Sequence, residues 1–206
     1  LDCTNRARIC HYRRIRCINL YQQSIRTRDV TNGIGEKTTM DFDKKYIQEA
    51  ADRVMIQDLL GRYAFAADYG RGKPESWAAL FIEDGRFEIP EISMVVRGRS
   101  ALTKFIEGLH RTVPGLHHVM SNFVIDVEGS RAQGKCELNE FMLRSEAIYN
   151  NLQAWYEDDY VRVDRRWYIE VRRVHLSDDT RSVASTGKVG EYFYDFFEMC
   201  KEFVVP

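Results

Sequence analysis

The sequence predicts an α+β domain. Two observations carry that class. Apolar residues recur at spacings of three and four from residue 47 to residue 67, and long β-rich runs fill the stretch from residue 117 to residue 176. Helices grouped before strands, rather than alternating with them, point to an α+β arrangement.

The elements follow in order. Residues 43–69 read as the first helix. Ile47, Ala51 and Val54, then Ile56, Leu59, Leu60, Tyr63 and Ala67, make its apolar pattern, and Gly70 and Gly72 stop it. A short second helix after Lys73-Pro74 carries Trp77, Leu80 and Phe81. Asp84-Gly85 turns into a strand over 86–90, and a second short strand covers 94–97. Ser100 caps a third helix over 101–110, and Pro114-Gly115 breaks the chain after it. Strands follow at 117–128 and 132–143, with a turn at Glu128-Gly129-Ser130 between them. A loop around Tyr149-Asn150-Asn151 comes next. Residues 153–163 and 167–176 then form a hairpin around Asp164-Arg165-Arg166. The tail, GEYFYDFFEMCKEFVV, reads as a short amphipathic helix or an apolar strand. Its aromatic residues need a surface to cover, either on their own domain or on a partner subunit.

Charge divides the chain. Residues 1–39 hold seven Arg, one Lys and three acids, a net of +5, while residues 40–206 hold 22 basic and 28 acidic residues, a net of −6. The first 39 residues also lack apolar periodicity. They read as a transit peptide, a basic arm, or sequence upstream of a natural start at Met40, and the last is preferred. The expected organisation is an extension over 1–39, a domain over 40–180 and a tail over 181–206. The acidic body argues against a nucleic-acid partner, and no apolar run approaches the roughly 18 residues of a membrane span. Cys3, Cys10, Cys17, Cys136 and Cys200 form no CxxC pair, so no structural metal is expected. Isolated thiols fit a reducing, cytoplasmic setting.

A bent sheet wrapped over helices encloses a concave apolar pocket, the usual place for a small ligand. The doublet His117-His118 opens the first long strand. Neighbouring strand residues point to opposite faces, so only one of the two enters such a pocket. Imidazole titrates nearest neutrality and is a natural proton carrier.

Four stretches together resemble the SnoaL-like group of the NTF2-like superfamily over about residues 46–176. They are RYAFAADYG leading into WAALFIEDGRFE, Gly98 before the third helix, HHVMSNFVIDVEGSRAQGKCEL, and YEDDYVRVDRRWYIEVRRV. The resemblance implies a cone, with three N-terminal helices packed in a strongly curved, mostly antiparallel sheet. Within the group the pattern is most similar to bile-acid dehydratases and scytalone dehydratase. The bile-acid enzymes place a Tyr, an Asp five residues later and a His on the first long strand; Tyr63, Asp68 and His117 match. His117 is preferred over His118 by its distance from the Val-Ile-Asp run at 124–126, and His118 is expected on the opposite face. Glu140 matches an acid on the next strand. Cys136 stands where scytalone dehydratase has a second histidine, a departure from that chemistry. Asp164-Arg165 replaces the family's frequent Asp-Gly, which weakens the expectation of a tight I′ turn.

The resemblance implies a cofactor-independent lyase or isomerase acting on a hydrophobic cyclic compound such as a polyketide or steroid-like ring. His117, Asp68 and Tyr63 would be catalytic. Glu140, Asn139, Trp77, Phe81, Tyr156 and, in second place, His118 would contact substrate. No metal and no organic cofactor is needed. A homodimer or homotrimer is expected. The alternative is a non-catalytic ligand-binding or subunit-association domain. One geometric difficulty stands. Residues five apart on a helix differ by about 140° in direction, so Tyr63 and Asp68 share a pocket only if Asp68 lies at a frayed helix end. Arg172 reads as structural, with Glu170 and Asp158 as cross-strand partners.

Overall fold

The computed structural model describes residues 35–68, 72–143, 145, 147–176, 194–196 and 198–201. Residues 1–34 of the expected extension, the Gly70 stop and residues 181–193 of the tail lie outside these. The chain divides into two compact units, Leu1–Asp43 and Lys44–Pro206. No helix among the described residues is long and apolar enough to cross a membrane.

Helix α1 spans Gly35–Ala67, beginning well before residue 43. Its buried stripe is Ile56, Leu59, Leu60, Tyr63 and Ala67, whereas Ile47 and Val54 stay exposed. The reason lies in the spacing. Val54 and Ile56 are two residues, or about 200°, apart, so the two halves of the pattern face different ways. Helix α2, Pro74–Ala78, starts on a proline and buries Trp77 and Ala78. Phe81 then opens strand β1, Phe81–Ile89, rather than closing that helix. Asp84-Gly85 is a bulge inside β1, not a turn before it: between Phe81 and Arg86 the pairing with the neighbouring strand shifts register. A 3-10 turn at Pro90–Ile92 leads to β2, Met94–Arg97. Gly98, at φ 83°, admits the chain to α3, Arg99–Thr112.

Strands β3 (Leu116–Glu128), β4 (Arg131–Leu143), β5 (Ile148–Val163) and β6 (Arg166–Leu176) complete the sheet. The expected loop at 149–151 is the start of β5. The order is β2-β1-β6-β5-β4-β3, with β3 at a free edge. All pairings are antiparallel except β1 with β6. Each of the pairings β1–β6, β3–β4, β4–β5 and β5–β6 carries a register shift, and bulges bend a sheet. The β5–β6 connection is the tight two-residue turn that the sequence made doubtful. Asp164 and Arg165 both take positive φ, 49° and 63°, the type I′ geometry that matches strand twist.

One apolar core joins α1, α2, α3 and the concave face of the sheet. Trp77, Phe87 and Phe105 form its aromatic centre, with Phe87 and Phe105 centroids 4.7 Å apart. The tail takes the helical choice at 194–196 and 198–200 and covers its own domain. Phe196 sits edge-on to Phe105 at 5.1 Å, and Phe196 and Cys200 are buried. Gly108 of α3 leaves room for the end of the Met199 side chain.

Candidate functional site

Asp68 lies in a tightened turn just past Ala67, at the end of α1. Leaving the helical track removes the angular conflict with Tyr63, which faces the core one turn earlier. The Asp68 carboxylate meets the free edge of β3. The His118 backbone N–H, turned away from β4, donates to Oδ1 at 3.0 Å. The His118 ring donates to the same oxygen from Nδ1 at 2.7 Å, and His117 Nδ1 reaches Oδ2 at 3.0 Å. A carboxylate accepts only, so both Nδ1 atoms carry hydrogen.

The two histidines exchange the places expected of them. His118 is the inward residue: it is buried, and its Nε2 lies 3.3 Å from Glu140 Oε2. His117 points to the other face, with 36% of its side chain exposed. The cause is a bulge. On β3, Ser121 pairs with Glu137 but Val124 pairs with Lys135, so three steps on one strand match two on the other. Asn122, at φ 54°, sits in the gap. Leu116, His118 and Met120 pack inward before it, and Ile125 and Val127 after it. Counting back from Ile125 by strict alternation lands on His117; the extra residue moves the inward position to His118.

Glu140 is buried rather than exposed, directly across from His118. Asp68, His118 and Glu140 thus form a row of side chains joined through the two ring nitrogens of His118.

Asn139, one residue earlier on β4, faces the opposite side, paired with Val119 and Gln153. It is not part of this cluster. Asn122 is exposed at the bulge. Tyr63 packs edge-on to His118 at 6.1 Å and to Tyr156 at 5.9 Å. Trp77 and Phe81 close the other side of Tyr63, at 5.2 and 6.4 Å. Burial raises the pKa of Tyr63, opposed by Arg172, and burial lifts that of Tyr156 well above the ordinary phenol value. Both hydroxyls therefore remain donors at neutral pH.

Beneath the tyrosines lies a group that sequence reasoning took as structural only. Arg172 is fully buried, with its Cζ 4.0 Å from the Tyr63 ring centre and 3.9 Å from that of Tyr156. Two tyrosine faces hold the guanidinium. Asp158 grips it through two hydrogen bonds, from Nε at 2.9 Å and from Nη2 at 2.7 Å. Tyr160 donates to the same carboxylate at 2.6 Å. Burial alone would lower the Arg172 pKa, but Asp158 holds it well above the usual value. The other expected partner, Glu170, pairs with Arg131 instead. Arg172 Nη1 has no hydrogen-bond partner among the described residues, and neither has the buried Trp77 Nε1. A signal for Asp158 existed. Ala154, Tyr156, Asp158 and Tyr160 alternate inward along β5, and an acid in that row marks a buried charge needing a partner. Cys136 faces the same interior beside Tyr156, and burial pushes its thiol up to about 12, so it is not a proton carrier near neutrality. Among the described residues no group of three His, Cys, Asp or Glu side chains is arranged to hold a metal ion.

With this geometry in view, the relatives can be placed. A profile of the SnoaL-like domain matches residues 48–173. The chain belongs to the SnoaL-like family. An uncharacterised protein of Mycobacterium tuberculosis is 26% identical to this SnoaL-like chain over 139 residues, which is 66% of this chain and 91% of that protein. Among solved structures, a protein of unknown function from Mycobacterium tuberculosis superposes with a TM-score of 0.69 at 23% identity, over 80% of this chain and 95% of that one. An NTF2-like protein with a cystatin-like fold from Novosphingobium aromaticivorans gives 0.61 at 24% identity, over 74% and 97%. A scytalone dehydratase-like protein from the same organism gives 0.52 at 26% identity, over 66% and 88%. The α+β, NTF2-like architecture expected from the sequence is the one observed.

Proposed function

We propose that this SnoaL-like protein is a cofactor-independent lyase or isomerase that moves protons on a hydrophobic cyclic substrate. The observation that carries the reading is the Asp68–His118–Glu140 chain, with Oδ1–Nδ1 at 2.7 Å and Nε2–Oε2 at 3.3 Å, beside the Tyr63 ring. Asp68 fixes the tautomer and orientation of the imidazole. The His118–Glu140 pair takes the proton alpha to a substrate carbonyl, and the C–H electrons become an enolate. A buried tyrosine hydroxyl stabilises that oxygen. In an elimination, the enolate electrons form the C=C bond as the β C–O bond breaks, and the proton held by the pair joins the departing hydroxyl as water. In an isomerisation the same proton returns to a different carbon. Acid–base assistance of this kind contributes about 10²–10⁴-fold. The similarity to a scytalone dehydratase-like protein supports the same reaction class.

The test is a panel of hydrophobic cyclic β-hydroxyketones in deuterated water, followed by mass spectrometry. Expected are loss of water and deuterium at the alpha carbon with the parent protein, both abolished in His118→Ala and Asp68→Asn variants that keep their circular dichroism. A parent protein that never exceeds the uncatalysed rate leaves the ligand-binding reading standing. Undiminished turnover in either variant overturns the proposal.

A further inference from the structure

We infer that the unpartnered Nη1 of Arg172 is the acceptor-binding group of this site, and that it selects a neutral carbonyl oxygen over a carboxylate. The inference rests on the reading above for the place of the reacting carbonyl, and it names the substrate class by charge.

Three observations carry it. First, the donor is built, not incidental. The guanidinium is fully buried, clamped between two tyrosine faces at 4.0 and 3.9 Å and locked by two bonds to Asp158. Its Nη1 alone lacks an acceptor among the described residues. A buried donor left unmade is costly, so a ligand that supplies an acceptor gains what a ligand without one forfeits. Second, the donor adjoins the proton chain. The Tyr63 ring neighbours both groups, its centre 4.0 Å from the Arg172 Cζ and 6.1 Å from the His118 ring centre.

Third, the site offers a ligand no surplus positive charge. Arg172 and Asp158 cancel, and Asp68 and Glu140 add two carboxylates that share the single buried imidazole of His118. A ligand carboxylate would meet a neutralised guanidinium and the field of two acids. A carbonyl oxygen accepts the Nη1 hydrogen without adding charge. It also gains negative charge only as the enolate forms, when the donor is most useful.

The experiment measures equilibrium binding to the intact chain, so it does not depend on turnover. The probes are 1-tetralone, tetralin, which has the same ring system without the oxygen, and 1-naphthoate, which carries a carboxylate. The expected order is 1-tetralone first, with tetralin and 1-naphthoate each weaker by at least about tenfold. Asp158→Asn frees the guanidinium charge and shifts preference toward 1-naphthoate. Arg172→Lys keeps a cation beside Asp158 but removes the fork, and 1-tetralone falls to the level of tetralin. Equal affinity of the parent protein for 1-tetralone and tetralin, no binding of 1-tetralone, or 1-naphthoate binding best, overturns the inference whatever the variants do. Ketone selectivity without catalysed exchange would retain the inference and sink the proposed reaction.

Discussion

Two aspartates on one helix make opposite uses of burial. Asp52 and Asp68 both lie on or just past α1, and both are buried. Asp52 accepts from Arg162 Nη1 at 2.7 and 2.8 Å, from Trp167 Nε1 at 2.8 Å and from Gln48 at 3.2 Å. None of those donors gives up its proton near neutrality. The result ties α1 to the β5–β6 hairpin. Asp68 accepts from one backbone amide and two imidazoles. Imidazoles do exchange protons near neutrality, and Glu140 waits on the far side of one of them. The residue type is the same and the burial is similar. The chemistry of the partners separates a clasp from the proposed proton relay.

The largest expected effect breaks the relay. His118→Ala lowers exchange and water loss on the ketone panel by about 10²–10⁴-fold, with urea midpoints read alongside to show that folding is kept. Breaking the clasp should give the reverse pattern. Asp52→Ala leaves the buried Trp167 Nε1 without its acceptor and costs about 1–3 kcal/mol of stability, while residual activity tracks the folded fraction in denaturant titrations. Activity lost without loss of stability in that variant would erase the contrast.

Alkaline titration sharpens the comparison next. Burial raises the Tyr63 and Tyr156 pKa values and takes Cys136 to about 12. A group whose folded pKa is raised contributes stability that is whole below its unfolded pKa and is lost as pH rises through the folded one. For Cys136 that window runs from about 9 to about 12. The melting temperature should therefore fall as pH passes 9, and Cys136→Ala should flatten part of the fall. The smallest effect belongs to His117→Ala. His118 still holds Asp68 through two bonds, so activity should drop by less than the roughly 10² that loss of a proton carrier costs. A loss as deep as that of His118→Ala would show that His117 shares the chemistry.

Much of this site was legible before folding. Tyr63, Asp68, Trp77, Glu140 and Tyr156 were marked in the chain, and all lie in or around one buried cluster. The side of Glu140 was not, since a lone acid on a strand reads as exposed until its parity is known. Asn139 was misplaced for the same reason, one residue out of phase. Arg172 and Asp158 were paired correctly, but their depth could not be read from a cross-strand rule that applies equally to surface pairs.

By itself the sequence determined the α+β class, because periodicity is a local property, and the likeness of four of its stretches pointed to the SnoaL-like family. Only the tertiary structure decided which histidine enters. The inward parity of β3 changes at Asn122 because β4 offers one residue, Cys136, opposite two, Asn122 and Phe123. That mismatch belongs to the partner strand's hydrogen bonds, and no period within β3 records it. The same holds for Asp68, whose acceptor role exists only because the end of α1 meets the free edge of a strand about fifty residues later.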